Sequence, residues 1–209
     1  MSTITAIEVQ KKRGNRRSIF VDGEFIAGVH EEVIFALGLS VGQTFDKERL
    51  VDLLKAETKR KARESALRLI SYRDRSKSEL RRRLIRADYP EDIVDEVIDQ
   101  LSSAGLLDDE KFSRDWIKAR SASKPMGKTR LAWELRSKGV EAPLVEESLE
   151  SLDEDTEYDL AYSVVAGKLA KIKKDDPTLR NKLGSLLRRR GFSWETITRV
   201  IDALCPDDK

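Results

Sequence analysis

Cysteine and histidine are almost absent from this sequence, since Cys205 and His30 are the only examples among its 209 residues. A single cysteine cannot form an internal disulfide, which favours the reducing cytoplasm over a secreted setting. Zinc sites need several Cys or His ligands, and Cys–His or Ser–His nucleophilic sites need a histidine beside the nucleophile. We therefore expect no metal, no cofactor and no nucleophilic catalysis.

Long apolar runs and nucleotide-binding loops are also missing. No apolar stretch approaches the ~20 residues that span a bilayer, and residues 1–5 do not resemble a signal peptide. Residues 127–129 (GKT) resemble the end of a P-loop, but that motif requires a glycine where Ala122 stands. These absences predict a cytoplasmic protein that contacts no membrane and is not an enzyme.

The first 30 residues predict a small β-meander. Two runs of β-branched and aromatic residues, 18–21 and 24–29, flank Asp22-Gly23, a dipeptide that tolerates the positive φ angles of a tight hairpin turn. A third strand precedes them, and a basic loop over residues 11–17 joins it to the second strand. Residues 31–37 and roughly 46–72 are then expected to be helical, with no convincing strand beyond them.

An internal repeat follows, with a spacing of 51 and then 52 residues. Each unit contains a helix with leucines at positions i and i+4, a Gly-type stop and a second apolar-periodic helix. The superimposed positions are Leu80, Leu131 and Leu183; Leu84, Leu135 and Leu187; and Asp88, Gly139 and Gly191 at the stop. Another helical stretch precedes each pair, at residues 62–72, 109–120 and 157–171, so each repeat contains three helices.

The predicted fold class is therefore mostly α-helical. About three tandem three-helix repeats are expected to form an elongated solenoid, preceded by the β-meander. The expected boundaries are residues 1–58 for the N-terminal segment and 59–107, 108–155 and 156–209 for the three repeats. An elongated shape suits a chain in which 37% of the residues are charged and only 39% are hydrophobic.

The charges are segregated along the chain, although the formal net charge is only +2. Residues 59–86 contain twelve bases and three acids, whereas residues 88–99 contain six acids and no base. Residues 141–159 contain nine acids and no base, and residues 168–190 contain nine bases and two acids. The middle helices are therefore expected to be basic and the last helices acidic.

Two interpretations of the basic helices compete. The bases either follow an acidic polymer, such as a DNA backbone or an acidic filament, or they pair with the acidic helices for ~0–1 kcal/mol each. We favour a binding surface because the bias recurs in two repeats and in the N-terminal loop. The candidate residues are Lys11, Lys12, Arg13, Arg16 and Arg17 in the loop, Arg81, Arg82, Arg83 and Arg86 in the first repeat, Lys128, Arg130 and Arg136 in the second, and Arg188, Arg189 and Arg190 in the third.

One stretch beginning at residue 106 carries a family resemblance. It contains residues 106–112 (LLDDEKF), and then Trp116, Arg120, Gly127 and Leu131. This pattern resembles the central signature of the RecX regulatory proteins, and residues 78–84 are similar to the first repeat of that family. The resemblance covers roughly residues 60–205. It implies a protein that binds the RecA recombinase filament and single-stranded DNA, directly or through the filament, and inhibits strand exchange and co-protease activity in DNA repair and the SOS response. We expect the protein to be a monomer.

The signature residues also have a structural interpretation. Asp108 and Asp109 stand where a helix begins and suit an N-cap; they could hold Mg²⁺, but no phosphate cradle accompanies them. Phe112 and Trp116 are four residues apart, a spacing typical of a core-facing stripe. Trp133 occupies the repeat position of Arg82, and we expect it to pack between repeats rather than to serve as an exposed anchor.

Two other functions remain open from the sequence. A DNA-binding transcription regulator is one, because helix–turn–helix pieces recur, although no helix carries the Asn, Gln or Arg pattern of a recognition helix. A protein scaffold that uses the concave face of the solenoid and ignores nucleic acid is the other. Sequence-independent DNA binding would count against the regulator, and binding that depends only weakly on salt would favour the scaffold.

Overall fold

The structure is a computed structural model that describes residues 1–11, 13–169 and 178–205. Its strands are β1 (Ser2–Gln10), β2 (Arg13–Val21), β3 (Glu24–His30) and β4 (Thr44–Phe45). Its helices are α1 (Glu31–Leu37), α2 (Lys47–Tyr72), α3 (Lys77–Arg86), α4 (Glu91–Ser103), α5 (Asp109–Ser123), α6 (Lys128–Ser137), α7 (Ala142–Glu150), α8 (Glu154–Leu169), α9 (Leu179–Arg189) and α10 (Trp194–Leu204). This confirms the predicted class of an N-terminal β segment followed by three-helix repeats.

The chain divides into two compact units. The first contains residues 1–75 and 80–107, and the second contains Ser76–Glu79 and the residues from Asp108 onward. The first unit therefore joins the β segment to most of the first repeat. The second unit contains the second repeat (α5–α7), the third repeat (α8–α10) and the first turn of α3.

The N-terminal sheet is antiparallel with strand order β3-β2-β1-β4. Asp22 and Gly23 have φ angles of 51° and 82°, which confirms the predicted tight turn between β2 and β3. The buried face of the sheet, represented by Ile4 and Ile19, packs against Val33 of α1. Strand β4 was not predicted, because its two residues pair only with Ser2 and Thr3 of β1 and are too few to show alternation.

The predicted basic loop is wrong in its extent. Strand β1 continues to Gln10 and β2 begins at Arg13, so the connection contains only residues 11 and 12. Residues 13–17 belong to a paired strand because Arg13, Arg16 and Arg17 have register partners in β1 or β3. Lys12 and the side chain of Arg13 lie outside the described part of the chain.

Helix α2 runs without interruption through the predicted boundary at residues 58 and 59. Asp46 caps its start by accepting a hydrogen bond from the Arg49 amide at 3.0 Å. Leu54, near its N-terminal end, is buried against the sheet, whereas Ala62 and Ala66 are buried with α3 and α4. One helix therefore contributes to two cores of the first unit.

The three middle helices end in the same way, which confirms the repeat. Their paired leucines are at most 1% exposed, and their stops have positive φ angles of 66° at Asp88, 82° at Gly139 and 79° at Gly191. The residue after each stop donates its amide hydrogen to the carbonyl of the second leucine, at 3.2, 3.2 and 3.3 Å. This is the left-handed helix ending that glycine favours.

Within the second unit, the start of α6 lies directly against the end of α9. Gly127 donates its amide hydrogen to the Arg190 carbonyl at 3.1 Å, and Thr129 donates to the Gly191 carbonyl at 3.2 Å. The unpaired donors of one helix thus satisfy the unpaired acceptors of the other. A Cβ on Gly127 would stand 2.2 Å from the Gly191 oxygen, so only glycine permits this approach.

A carboxylate from the following repeat also caps the start of α6. Glu157 of α8 is only 4% exposed, and its Oε1 accepts a hydrogen bond from the Lys128 amide at 3.0 Å. Its Oε2 accepts a second one from the Thr196 hydroxyl at 3.2 Å. Asp109 of α5 caps the first turn of α3 in the same manner, accepting from the Lys77 amide at 2.9 Å. Within the second unit, α8 therefore caps the start of α6, and α5 caps the first turn of α3.

Candidate nucleic-acid and partner interface

The four predicted bases of α3 differ in their exposure and in their contacts with α4. Arg81 contacts Asp95 at 2.6 Å and Glu91 at 3.0 Å, both on α4. These hydrogen bonds, to Asp95 first and then Glu91, raise the pKa of Arg81 above its usual value. Arg81 therefore fits the second interpretation of the basic helices, in which the bases pair with the neighbouring acidic helix.

The other three predicted bases of α3, Arg82, Arg83 and Arg86, are exposed. At 100° per residue, Arg82 and Arg86 point away from the buried Leu80 and Leu84, and Arg83 flanks them. Arg83 and Arg86 form no ion pair with any residue that the structure describes.

Two of the three predicted bases of α6, Arg130 and Arg136, have partners on their own helix or on the next one. The Arg130 guanidinium lies 4.3 Å from the centre of the Trp133 ring, and its Nε is 4.0 Å from Glu134. Arg136 is 3.5 Å from Glu146 of α7. Lys128 is half-buried at the start of the helix. The second repeat therefore presents less unpaired positive charge than α3 or α9.

The three predicted bases at the C-terminal end of α9 comprise two exposed residues and one with a structural role. Arg188 and Arg189 are exposed, and among the described residues neither forms an ion pair. Arg190 is half-buried, and its guanidinium donates a hydrogen bond to the Pro125 carbonyl at 3.0 Å. Arg190 thus supports the contact between α9 and α6, and we do not retain it in the candidate surface.

The N-terminal bases are mostly engaged within the first unit. Arg16 is only 8% exposed and donates hydrogen bonds to the carbonyls of Gly28 and Asp88, the second of which lies at the end of α3. Arg17 pairs with Glu31 at 2.5 Å. Lys11 is exposed at the turn and is the one N-terminal base, among those whose side chains are described, that we retain.

The signature residues form a structural cluster in the second unit. Asp108 caps α5 by accepting hydrogen bonds from the amides of Glu110 and Lys111, both at 2.9 Å, as predicted. Phe112 is buried, and its ring stacks on that of the half-buried Trp116 at 5.9 Å. The structural interpretation of these residues is therefore confirmed.

Polar groups hold Trp116 on its other sides. Its Nε1 donates a hydrogen bond to Glu134 at 3.0 Å, and Arg120 donates to the same carboxylate oxygen at 2.8 Å. Lys138 lies 4.2 Å from the centre of the ring.

Asp109, the other aspartate of the signature, is half-buried. Burial raises the pKa of its carboxyl group, despite the hydrogen bond that it accepts from the Lys77 amide.

Two tryptophans are exposed, and only one of them was considered in the sequence. The packing prediction for Trp133 is wrong, because the side chain is 56% exposed, and the Arg130 guanidinium from the preceding turn lies over its ring. Trp194 is 76% exposed at the first position of α10 and was missed. The repeat itself indicated that Trp194 would be exposed. The equivalent residues, Glu91 and Ala142, are the first residues of α4 and α7, and both are exposed.

The described residues contain no group of three or more Cys, His, Asp or Glu side chains arranged to hold a metal ion. Among the described helices, none combines the length and the apolar character needed to cross a membrane. The interface candidates are exposed bases and tryptophans, and they comprise Lys11, Arg82, Arg83, Arg86, Arg130, Trp133, Arg136, Arg188, Arg189 and Trp194.

Four family models match the chain in order. The Regulatory protein RecX N-terminal domain matches residues 2–46. The first, second and third three-helix domains of RecX match residues 62–101, 108–149 and 155–201. These segments coincide with the sheet and with the three repeats of the structure.

Curated relatives are similar over most of their length. Regulatory protein RecX of Clostridioides difficile (strain 630) is 30% identical over 210 residues, which cover 100% of this chain and 99% of the relative. Regulatory protein RecX of Mycobacterium marinum (strain ATCC BAA-535 / M) is 37% identical over 144 residues, 68% of this chain and 83% of the relative.

Solved structures share the fold. A crystal structure of regulatory protein RecX has a TM-score of 0.67 at 23% identity and covers 97% of this chain and 100% of its own. The crystal structure of RecX from Lactobacillus salivarius has a TM-score of 0.64 at 22% identity and covers 71% and 97%. The likeness to these structures concerns the fold, whereas the family models and the curated relatives show descent: the chain belongs to the RecX family of regulatory proteins.

Proposed function

We propose that this protein binds a RecA recombinase filament on single-stranded DNA and inhibits its strand-exchange and co-protease activities. It acts in the cytoplasm, in DNA repair and the SOS response, and catalyses no reaction itself. The observation that carries the proposal is the ordered match of four RecX domains over residues 2–201.

The exposed bases supply the physical contact with the filament. Arg83 and Arg86 of α3 and Arg188 and Arg189 of α9 project into solvent without an ion pair among the described residues. Nucleic-acid phosphates attract such side chains and release their counterions, so binding weakens steeply with salt. Arg81 is engaged in a surface ion-pair cluster, and Arg16 and Arg190 donate hydrogen bonds to backbone carbonyls, so none of the three is assigned to the contact.

The first experiment adds the purified protein to preformed RecA filaments on single-stranded DNA and follows ATP hydrolysis. We expect inhibition at stoichiometric or lower ratios of protein to recombinase. Unchanged ATP hydrolysis and unchanged strand exchange at those ratios would refute the proposal.

The second experiment locates the contact with matched charge changes. The triple variant Arg83→Gln, Arg86→Gln and Arg189→Gln should lower the salt dependence of binding to single-stranded DNA by about 2 in slope, since each phosphate contact contributes ~0.7. The control triple, Arg63→Gln, Arg68→Gln and Lys118→Gln, removes the same charge from other exposed helical positions. Equal slopes for the two triples would mean that the middle helices are not the contact surface.

A further inference from the structure

The third repeat contains an open groove between α9 and α10 with a volume of about 460 Å³. Ile197, Ile201 and Gly184 provide its apolar lining, and Arg188 and Trp194 stand beside them. A Cβ at Gly184 would lie 3.3 Å from the terminal methyl group of Ile201, so the glycine keeps this part of the groove open. The groove therefore combines an apolar lining, an exposed indole and a guanidinium.

The equivalent place in the first repeat is occupied by an ionic cluster. Gly184, Trp194 and Thr198 occupy the repeat positions of Arg81, Glu91 and Asp95. In the first repeat, Arg81 bridges to both acids and covers the surface between α3 and α4. The third repeat replaces this closed ionic cluster with a glycine, a threonine and a tryptophan.

The charge of the groove selects an anionic occupant. Helix α9 contains no acidic residue, and the one acid of the groove, Asp202, is paired with Arg180 at 2.5 Å. Arg188 has no ion pair within the described parts of the chain, so its positive charge remains available. A ligand that matches both the apolar lining with its exposed indole and the positive charge of Arg188 has a flat apolar face next to a negative charge.

We propose that this groove is a base-stacking subsite for single-stranded DNA. An unpaired base stacks on the Trp194 indole, and its adjoining phosphate contacts Arg188. Duplex DNA is a poor occupant because its base faces are already stacked. The subsite rests on the proposed function for its ligand, but it requires no recombinase and is tested without one.

The test compares an oligothymidylate with an abasic strand of the same length, using fluorescence anisotropy of the labelled strand and the full-length protein. Both strands present the same phosphates, so their affinity ratio isolates the contribution of the bases. We expect the protein to prefer oligothymidylate by roughly 5- to 150-fold, the range of one base–aromatic stack. Trp194→Ala should abolish the preference, and Trp194→Phe should keep most of it.

Two further variants separate stacking from charge and from simple loss of a tryptophan. Arg188→Gln should lower the salt slope by about 0.7 for both strands and leave the base preference unchanged. Trp133→Ala removes the other exposed tryptophan and should retain the preference. Because Trp194 is 76% exposed, its variants should keep the helical circular dichroism of the parent protein.

The outcomes distinguish this inference from the proposed function. Absence of a base preference in the parent protein, or its persistence in Trp194→Ala, would overturn the subsite. If Trp194→Ala instead loses filament inhibition but keeps the base preference, the groove takes a protein partner and the subsite is overturned. If the protein inhibits RecA filaments but shows no base preference, the proposed function is retained and the stacking subsite is refuted.

Discussion

Replacing Gly127 with alanine tests the contact between α6 and α9. Gly127 has φ −77° and ψ 166°, which alanine adopts without strain, so backbone conformation does not oppose the change. The added Cβ would meet the Gly191 oxygen at 2.2 Å and the Phe192 Cα at 2.3 Å. Both are backbone atoms, so the clash can be relieved only by separating the helices.

The expected loss follows from what that separation disrupts. Overpacking costs about 1–3 kcal/mol, and stretching the two backbone hydrogen bonds of the junction adds about 1 kcal/mol. We therefore expect Gly127→Ala to lower the free energy of unfolding by about 2–4 kcal/mol. Urea titration of the full-length protein, followed by circular dichroism, measures this change.

Gly167→Ala is the matched control. Gly167 lies within α8, and a Cβ there would meet no atom within 4 Å. Alanine at an exposed helical position should raise the free energy of unfolding by about 0.5–1 kcal/mol. If Gly127→Ala is as stable as Gly167→Ala, the close approach of α6 and α9 does not exist in solution.

Two further predictions concern stability. Arg16→Leu should lower the free energy of unfolding of the first unit by about 1–3 kcal/mol, because the Gly28 and Asp88 carbonyls lose their hydrogen-bond donor. The salt dependence of DNA binding should stay unchanged, and a lower slope with full stability would contradict this prediction. Asp109 has a raised pKa, so the folded state holds more protons than the unfolded state just above pH 3.8. The unfolding free energy of the parent protein should therefore fall relative to that of Asp109→Asn as the pH rises from 3.8 through the raised pKa, and parallel pH curves would refute this.

The repeat was predictable because its signals are local. Leucines four residues apart and a glycine or aspartate four residues later specify a helix and its left-handed end, as at Leu135 and Gly139. The capping role of Asp108 was predictable for the same reason. Strand β4 escaped prediction because a two-residue strand is specified by its partner rather than by its own pattern.

The division of the bases into paired and exposed ones could not be predicted from local sequence. Arg16 looks like a loop residue, yet its partner Asp88 stands 72 positions away. Arg81 and Arg83 are two residues apart in one basic run, and only the first faces the acids of α4. Trp194 precedes Ile197 and Ile201 at core-like spacing, but its place in the first turn of α10 leaves it in solvent.

The unbroken α2 couples the unfolding of the N-terminal sheet to that of the first repeat. Leu54 and Ala62 lie eight residues apart on one helix, the former in the core of the sheet and the latter in the core of the repeat. Helix formation is cooperative, so unfolding at either end weakens the turns that the other end requires. The β segment is therefore not a removable appendage: a cut at residue 58 would expose helix ends in the middle of a folding unit and deprive the first repeat of the turns that anchor it.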